Sequence, residues 1–323
     1  MKKVIIFSHE SDLDGLYSAT IALMRYPQAT AVFLGYGKEN FEKIGNFIHS
    51  QTHYSREPGG GLVIISDLGL NDDVIDICSQ IFSSAAKDGW EVLWIDHHPW
   101  SQKAIDSIKQ VAKIVLDSSG SKCAADLMYE TLLPENELAK NLAAMAHTMD
   151  FFTKDRYLVP LSELIRYYQT FSNFYPRMVS LARKSASGVL WDVEMQTDYE
   201  EYTRLRDEAA NHALSTTVVK PIAGFNVAFV QASPYLQNSI FSEQVFQKTG
   251  ADLVMFYSSK GKVSIRRNNE NISCSQIASN LPEGGGHAYA AGAVFHSNPA
   301  DTQAVIAELQ AAVEKALLAK ANT

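Results

Sequence analysis

Residues 3–24 read KVIIFSHESDLDGLYSATIALM, and this stretch decides the fold class. An apolar, β-branched run ends in Ser8 and His9, passes through the acids Glu10, Asp12 and Asp14, and resumes from Leu16 with apolar residues at helical spacing. The pattern reads as a strand that is buried on both faces and followed at once by a helix, as in parallel α/β sheets. Four further runs repeat it: ATAVFLGY (29–36), GLVIISDL (61–68), EVLWIDHH (91–98) and AKIVLD (112–117), most of them separated by helix-like segments. Residues 1 to about 185 are therefore expected to form a doubly wound, mostly parallel α/β domain.

Beyond it, RKSASGVLWD (183–192) has little periodicity and marks a boundary. The charged segment VEMQTDYEEYTRLRDEAANHAL (193–214) reads as a helix, which places a linker over residues 186–215. The remainder, 216–323, mixes strands (FNVAFVQ, ADLVMFYS, KVSIRR, GAVFHS) with helices and is expected to be a smaller α/β domain. No internal repeat is visible.

The chain has 323 residues, 46% hydrophobic and 20% charged, which suits a soluble globular protein of two domains. A net charge of -8 argues against binding long nucleic acid, which calls for a basic surface, but not against a short anionic substrate, because bound cations invert the local field. Cys78, Cys123 and Cys274 are widely spaced and in no metal-ligand pattern, so buried or free thiols in a reducing compartment are expected. The first apolar run is too short for a signal-peptide core, and no stretch approaches the roughly 20 apolar residues of a membrane span. The expectation is a cytoplasmic protein without a membrane partner.

Ligands of open α/β sheets bind at the carboxyl ends of the strands. Three of the expected strands end in metal-ligating side chains: His9 with Asp12 and Asp14, then Asp67, then Asp96 with His97 and His98. Asp117 also ends a strand and is expected to be structural. Gathering so many carboxylates without a cation would raise their pKa values and cost several kcal/mol. Mixed carboxylate and imidazole ligation suits a hard or borderline ion, Mn²⁺ foremost and Mg²⁺ as the alternative, and the ligand count suits two ions. Asp14 is also a fair helix N-cap, and Glu10 is expected to face solvent. In EGGGHAYAAG (283–292) the glycines are either a plain turn or a nest in which backbone amides approach an anion, with His287 as an added donor.

The tripeptide Asp96-His97-His98 resembles the signature of the DHH phosphoesterase superfamily, which includes RecJ-like exonucleases, oligoribonuclease-type enzymes, cyclic-dinucleotide phosphodiesterases and family II pyrophosphatases. The order of motifs is similar too: His/Asp/Asp–Gly, a lone strand-end Asp, DHH, and a later helical Asp, here Asp150. The segment VSIRRNNENISCSQIASNLPEGGGHAYAAGAVF resembles the DHH-associated domain. The resemblance implies that His9 and Asp12 bind one metal, that Asp14, His97 and Asp150 bind the other, and that Asp67 bridges them. It implies that His98 faces the substrate phosphate and that Asp96 is a ligand or orients its neighbours. It further implies that Arg266, Gly284, Gly285, Gly286 and His287 bind substrate. The first motif puts two residues between His9 and Asp12, where the family more often has one or three. His147, one turn before Asp150, is expected to pack on the helix surface.

The expected activity is hydrolysis of phosphodiester or phosphomonoester bonds in short oligonucleotides or small nucleotides by a metal-activated water, with Asp67, His97 and His98 at the reaction centre. A homodimer is compatible with the sequence, which does not fix the oligomeric state. Inorganic polyphosphate or pyrophosphate as substrate, and a nucleotide-binding sensor without catalysis, are the competing readings.

Overall fold

The computed structural model describes residues 2–54, 59–151 and 158–321. The chain divides into two compact units, Met1–Tyr199 and Glu200–Thr323.

In the first unit β1 (Lys3–His9), α1 (Leu13–Arg25), β2 (Thr30–Leu34), α2 (Lys38–His53), β3 (Gly61–Ser66), α3 (Ile75–Lys87), β4 (Glu91–Asp96), α4 (Gln102–Ile108) and β5 (Lys113–Leu116) alternate. The helices α5 (Ala124–Leu132), α6 (Glu137–Asp150), α7 (Val159–Tyr168) and α8 (Phe174–Ala186) follow, and α9 (Val193–Thr216) runs into the second unit. The five strands are all parallel, in the order β2-β1-β3-β4-β5. Alternate residues bury opposite faces. Ile5, Phe7, Val63, Ile65 and Trp94 pack against Phe41, Ile44, Phe82 and Ile108 of α2, α3 and α4. On the opposite side α1 lies against β1 and is packed by α5, α6 and α8. The strand order reverses between β1 and β3, so a crevice opens at their carboxyl ends, where His9 and Asp67 emerge.

The second unit contains β6 (Val218–Ile222), β7 (Phe225–Gln231), α10 (Asn238–Thr249), β8 (Leu253–Tyr257), β9 (Lys262–Arg267), α11 (Cys274–Ala278), β10 (Gly285–Gly286), β11 (Ala290–Val294) and α12 (Thr302–Ala321). Its sheet runs β10-β11-β9-β8-β7-β6 and is antiparallel except for the β7–β8 pair. One face, including Val263, Ile265, Ala291 and Ala293, packs on α11 and α12. On the other face, Ala213, Phe241 and Val245 of α9 and α10 cover Ala228, Val254 and Phe256. The strand pairing puts Arg266 beside Val254 and Ala290, and Ser264 beside Phe256 and Gly292, so the same face continues onto β9 and β11.

β6 and β10 are additions to the expected strands. β6 contains Pro221 and lies at the sheet edge, where a residue without an N–H is tolerated. β10 consists of two glycines, which carry no hydrophobic pattern.

Candidate metal centre

The backbone brings β1 and β3 into register at Ser8 and Ser66, whose hydroxyls meet at 2.8 Å, while Ser8 also donates to the carbonyl of Gly15 at 2.7 Å. The next residues, His9 and Asp67, therefore leave the sheet side by side. α1 begins at Leu13 with Asp12 as its N-cap: the Asp12 side chain accepts from the Gly15 amide at 3.1 Å. Its second oxygen lies 3.1 Å from His9 Nδ1. The two-residue spacer thus lets one carboxylate cap the helix and face the histidine.

Asp14, which could equally have capped the helix, is buried in the first turn. Its oxygens accept from the amides of Ala125 (2.7 Å) and Ala124 (2.8 Å) at the N-terminus of α5. Asp14 Oδ2 lies 3.6 Å from His97 Nε2, and the same nitrogen lies 3.5 Å from Asp67 Oδ1. Asp150, at the end of α6, approaches His97 Nδ1 to 3.7 Å. Three sets of ligand atoms therefore gather within 4.8 Å: His9, Asp12 and Asp67; Asp14, His97 and Asp150; Asp67, His97 and His98. Asp67 belongs to two of them.

Asp96 stands apart from these sets. One oxygen accepts from His98 Nδ1 at 2.8 Å and the other from the indole N–H of Trp100 at 2.6 Å. His98 is consequently fixed with Nε2 pointing outward, 3.1 Å from the Tyr36 hydroxyl. Glu10, expected in solvent, is half-buried with Oε2 enclosed and without a hydrogen-bond partner, and its amide donates to Leu34. Asp117 is half-buried and accepts from the Ser119 amide, a local turn bond. His147 is not a bare surface histidine: Nδ1 is 2.6 Å from Asp126, and Cys123 completes a fourth cluster of ligand types. All three cysteines are free and buried.

The electrostatics are those of a site that wants cations. Burial pulls His9 down, but the Asp12 and Asp67 carboxylates outweigh it and raise its pKa to about 10. His97 follows, raised to about 9 by Asp67, Asp14 and Asp150 against its burial. Burial, then the neighbouring Asp67 charge, pushes Asp14 well above the usual carboxylate range. His9 Nδ1 and Asp67 Oδ2 are buried without a well-formed hydrogen bond, and Asp67 holds a left-handed backbone (φ 54°) that only a surrounding demand would sustain. Orphaned lone pairs on a neutralisable imidazole and a carboxylate fit a divalent ion of the oxygen- and nitrogen-ligated kind.

In the second unit Arg266 donates to Ser264 Oγ (3.0 Å) and to the Ile265 carbonyl (2.8 Å). Arg267 points the other way and pins the carbonyls of Glu270 and Ile272. The three glycines differ in kind. A Cβ at Gly284 would collide with the Ala278 carbonyl, and Gly286 has φ 133°, but at Gly285 a Cβ would meet nothing. The exposed rings of His287 and Tyr289 stack, nearly coplanar, with centroids 5.3 Å apart. Tyr36 and Tyr289 were missed in the sequence. The first was findable as an aromatic at a strand's carboxyl end.

Family comparison decides the relationship. The DHH family N-terminal domain matches residues 3–150, and the DHHA1 domain matches residues 236–317. The chain belongs to the DHH superfamily. Its N-terminal DHH domain holds all the ligand sets described above, and the DHHA1 domain holds Arg266 and the glycine loop. Among solved structures, an exopolyphosphatase-related protein from Bacteroides fragilis is similar at 13% identity and TM-score 0.51, covering 98% of this chain and 92% of that one. RecJ from Thermus thermophilus, in complex with Mg²⁺, aligns at 15% identity and TM-score 0.47, covering 97% of this chain and 50% of RecJ. At these identities the likeness concerns the fold. No curated protein matches the sequence. Membership in the DHH superfamily supports phosphoester hydrolysis as the reaction class. Among the described residues no helix is long and apolar enough to cross a membrane.

Proposed function

We propose that this protein is a metal-dependent phosphoesterase that hydrolyses short oligonucleotides or small nucleotides. The observation that carries the reading is the gathering of His9, Asp12, Asp14, Asp67, His97 and Asp150 around buried, unpartnered ligand atoms. In this reading His9 and Asp12 would hold one divalent ion, Asp14, His97 and Asp150 would hold another, and Asp67 would serve both, with Mn²⁺ foremost and Mg²⁺ as the alternative. Such ions, when bound, supply a water acidified from 15.7 toward about 7 and charge that offsets the phosphoryl oxygens. The chain's own groups do the positioning. The α5 amides keep Asp14 aimed inward, and Asp96, itself held by Trp100, orients His98 so that Nε2 faces the substrate phosphate. Asp96 acts here through His98, since both its oxygens are engaged.

In the second unit, Arg266, Gly284, Gly285, Gly286 and His287 are the proposed substrate-binding groups. The stacked His287–Tyr289 pair favours a nucleobase over inorganic polyphosphate, because an exposed π-face gives nothing to a bare phosphate chain. The test is turnover by the Mn²⁺-loaded protein of dinucleotides, linear products of cyclic dinucleotides, nucleoside bisphosphates and polyphosphate, with Asp67→Asn as control. Nucleotide hydrolysis that Asp67→Asn abolishes is expected. A wild-type protein inert on every phosphoester would overturn the reading.

A further inference from the structure

Tyr36 is the residue of the metal centre for which no ligand role remains, yet it is built into the centre from three sides. Its ring lies on His9 (centroids 4.5 Å apart) and meets His98 edge-on (5.7 Å), and its hydroxyl is 3.1 Å from His98 Nε2. The loop that presents it is anchored. Asn40 donates to the Tyr36 carbonyl at 2.9 Å, and Gly35 sits so close to Glu10 that a Cβ would lie 3.1 Å from its carboxylate. The buried flank of Glu10 is thus the floor under this loop. Despite these contacts Tyr36 remains 44% exposed, which is unusual for an aromatic ring packed on two histidines.

His98 has one nitrogen committed to Asp96, so Nε2 is its single outward position. The Tyr36 hydroxyl occupies that position. A phosphate bound by Nε2 must take it over, and the hydroxyl is then left beside the oxygens of the same phosphate. A phenol is neutral at pH 7 and can donate to an anion without a counter-charge.

We infer that the Tyr36 hydroxyl, next to His98 Nε2, is a substrate-contacting donor that binds the phosphoryl group jointly with His98. Without substrate the hydroxyl and Nε2 satisfy each other; with substrate both turn to the phosphate. The inference rests on the phosphoesterase reading for its substrate, but the contact can be tested without turnover. If the residue served only to pack on His9, phenylalanine would replace it fully.

The experiment measures binding of inorganic orthophosphate to the Mn²⁺-loaded full-length protein, wild type against Tyr36→Phe, alongside Mn²⁺ affinity and turnover of the best substrate. Loss of a hydrogen bond to a charged partner predicts orthophosphate affinity weakened about 10-fold or more, with Mn²⁺ affinity within about twofold of wild type. Tyr36→Ala, which also removes the ring from His9, should weaken Mn²⁺ binding as well, separating packing from donation. Unchanged orthophosphate affinity in Tyr36→Phe overturns the inference, as does a wild-type protein that binds no orthophosphate. If wild type hydrolyses nothing while Tyr36→Phe still weakens orthophosphate binding, the phosphoesterase reading falls and the contact stands.

Discussion

Asp67 combines a left-handed backbone, near-complete burial at 2% exposure and an oxygen without a hydrogen-bond partner. Each feature is costly alone, and together they mark a residue shaped by a ligand. Asp67→Asn keeps the volume and removes the charge, and should lower turnover by well over 100-fold. Trp100→Phe removes the donor that holds Asp96; loss of such an orienting bond should cost about 10- to 100-fold in activity while Mn²⁺ still binds. The histidines give a pH signature. In the metal-free protein His9 (about 10) and His97 (about 9) lie above their ordinary value of 6.5. Their stabilising effect is therefore complete below about pH 6.5 and is lost as pH rises through about 9 to 10. Thermal melts of chelator-treated protein should show Tm falling at the alkaline end. Because ligating imidazoles must be neutral, Mn²⁺ binding near pH 7.5 should release protons and tighten with pH, as calorimetry in two buffers of different ionisation enthalpy would record. At this scale the residue types at the strand ends were legible in the sequence. The backbone partners of Asp14 were not, because the amides that claim it belong to α5, some 110 residues away.

The elements explain why the motif glycines are glycines. α1 starts so close to the end of β1 that a Cβ at Gly15 would run into the His9 carbonyl. Gly15→Ala should destabilise the protein by about 1–3 kcal/mol, the usual range for overpacking, and weaken metal binding because the displaced carbonyl belongs to His9, a proposed ligand. Thermal melts and Mn²⁺ titration would register both. In the second unit the contrast between neighbours is sharper. Gly284→Ala should lower Tm, whereas Gly285→Ala, with open space around its Cβ, should leave Tm unchanged and raise KM. A Gly285→Ala protein with unaltered KM would mean that the loop is merely a turn. The sequence could suggest a nest here but could not tell which glycine has open space at its Cβ, since that depends on how β10 pairs with β11.

At the scale of the whole molecule, an acidic chain of net charge -8 carries an acidic centre in its first unit and Arg266 with an exposed aromatic pair in its second. Tyr289→Ala should raise KM for nucleotides about 5-fold or more, the scale of one base stack, and leave hydrolysis of pyrophosphate or polyphosphate unaffected. An equal effect on both substrates would remove the argument for a nucleobase. The alternation of apolar runs and helical spacing determined by itself the parallel α/β first unit, and motif order determined the superfamily, since both are written in local residue patterns. Only the tertiary structure decided that the α5 amides hold Asp14, that Asp96 holds His98, that Glu10 underlies the Tyr36 loop, and that Tyr36 belongs to the centre. Those facts depend on strand register and helix placement between segments far apart in sequence, and local periodicity carries no record of such distances.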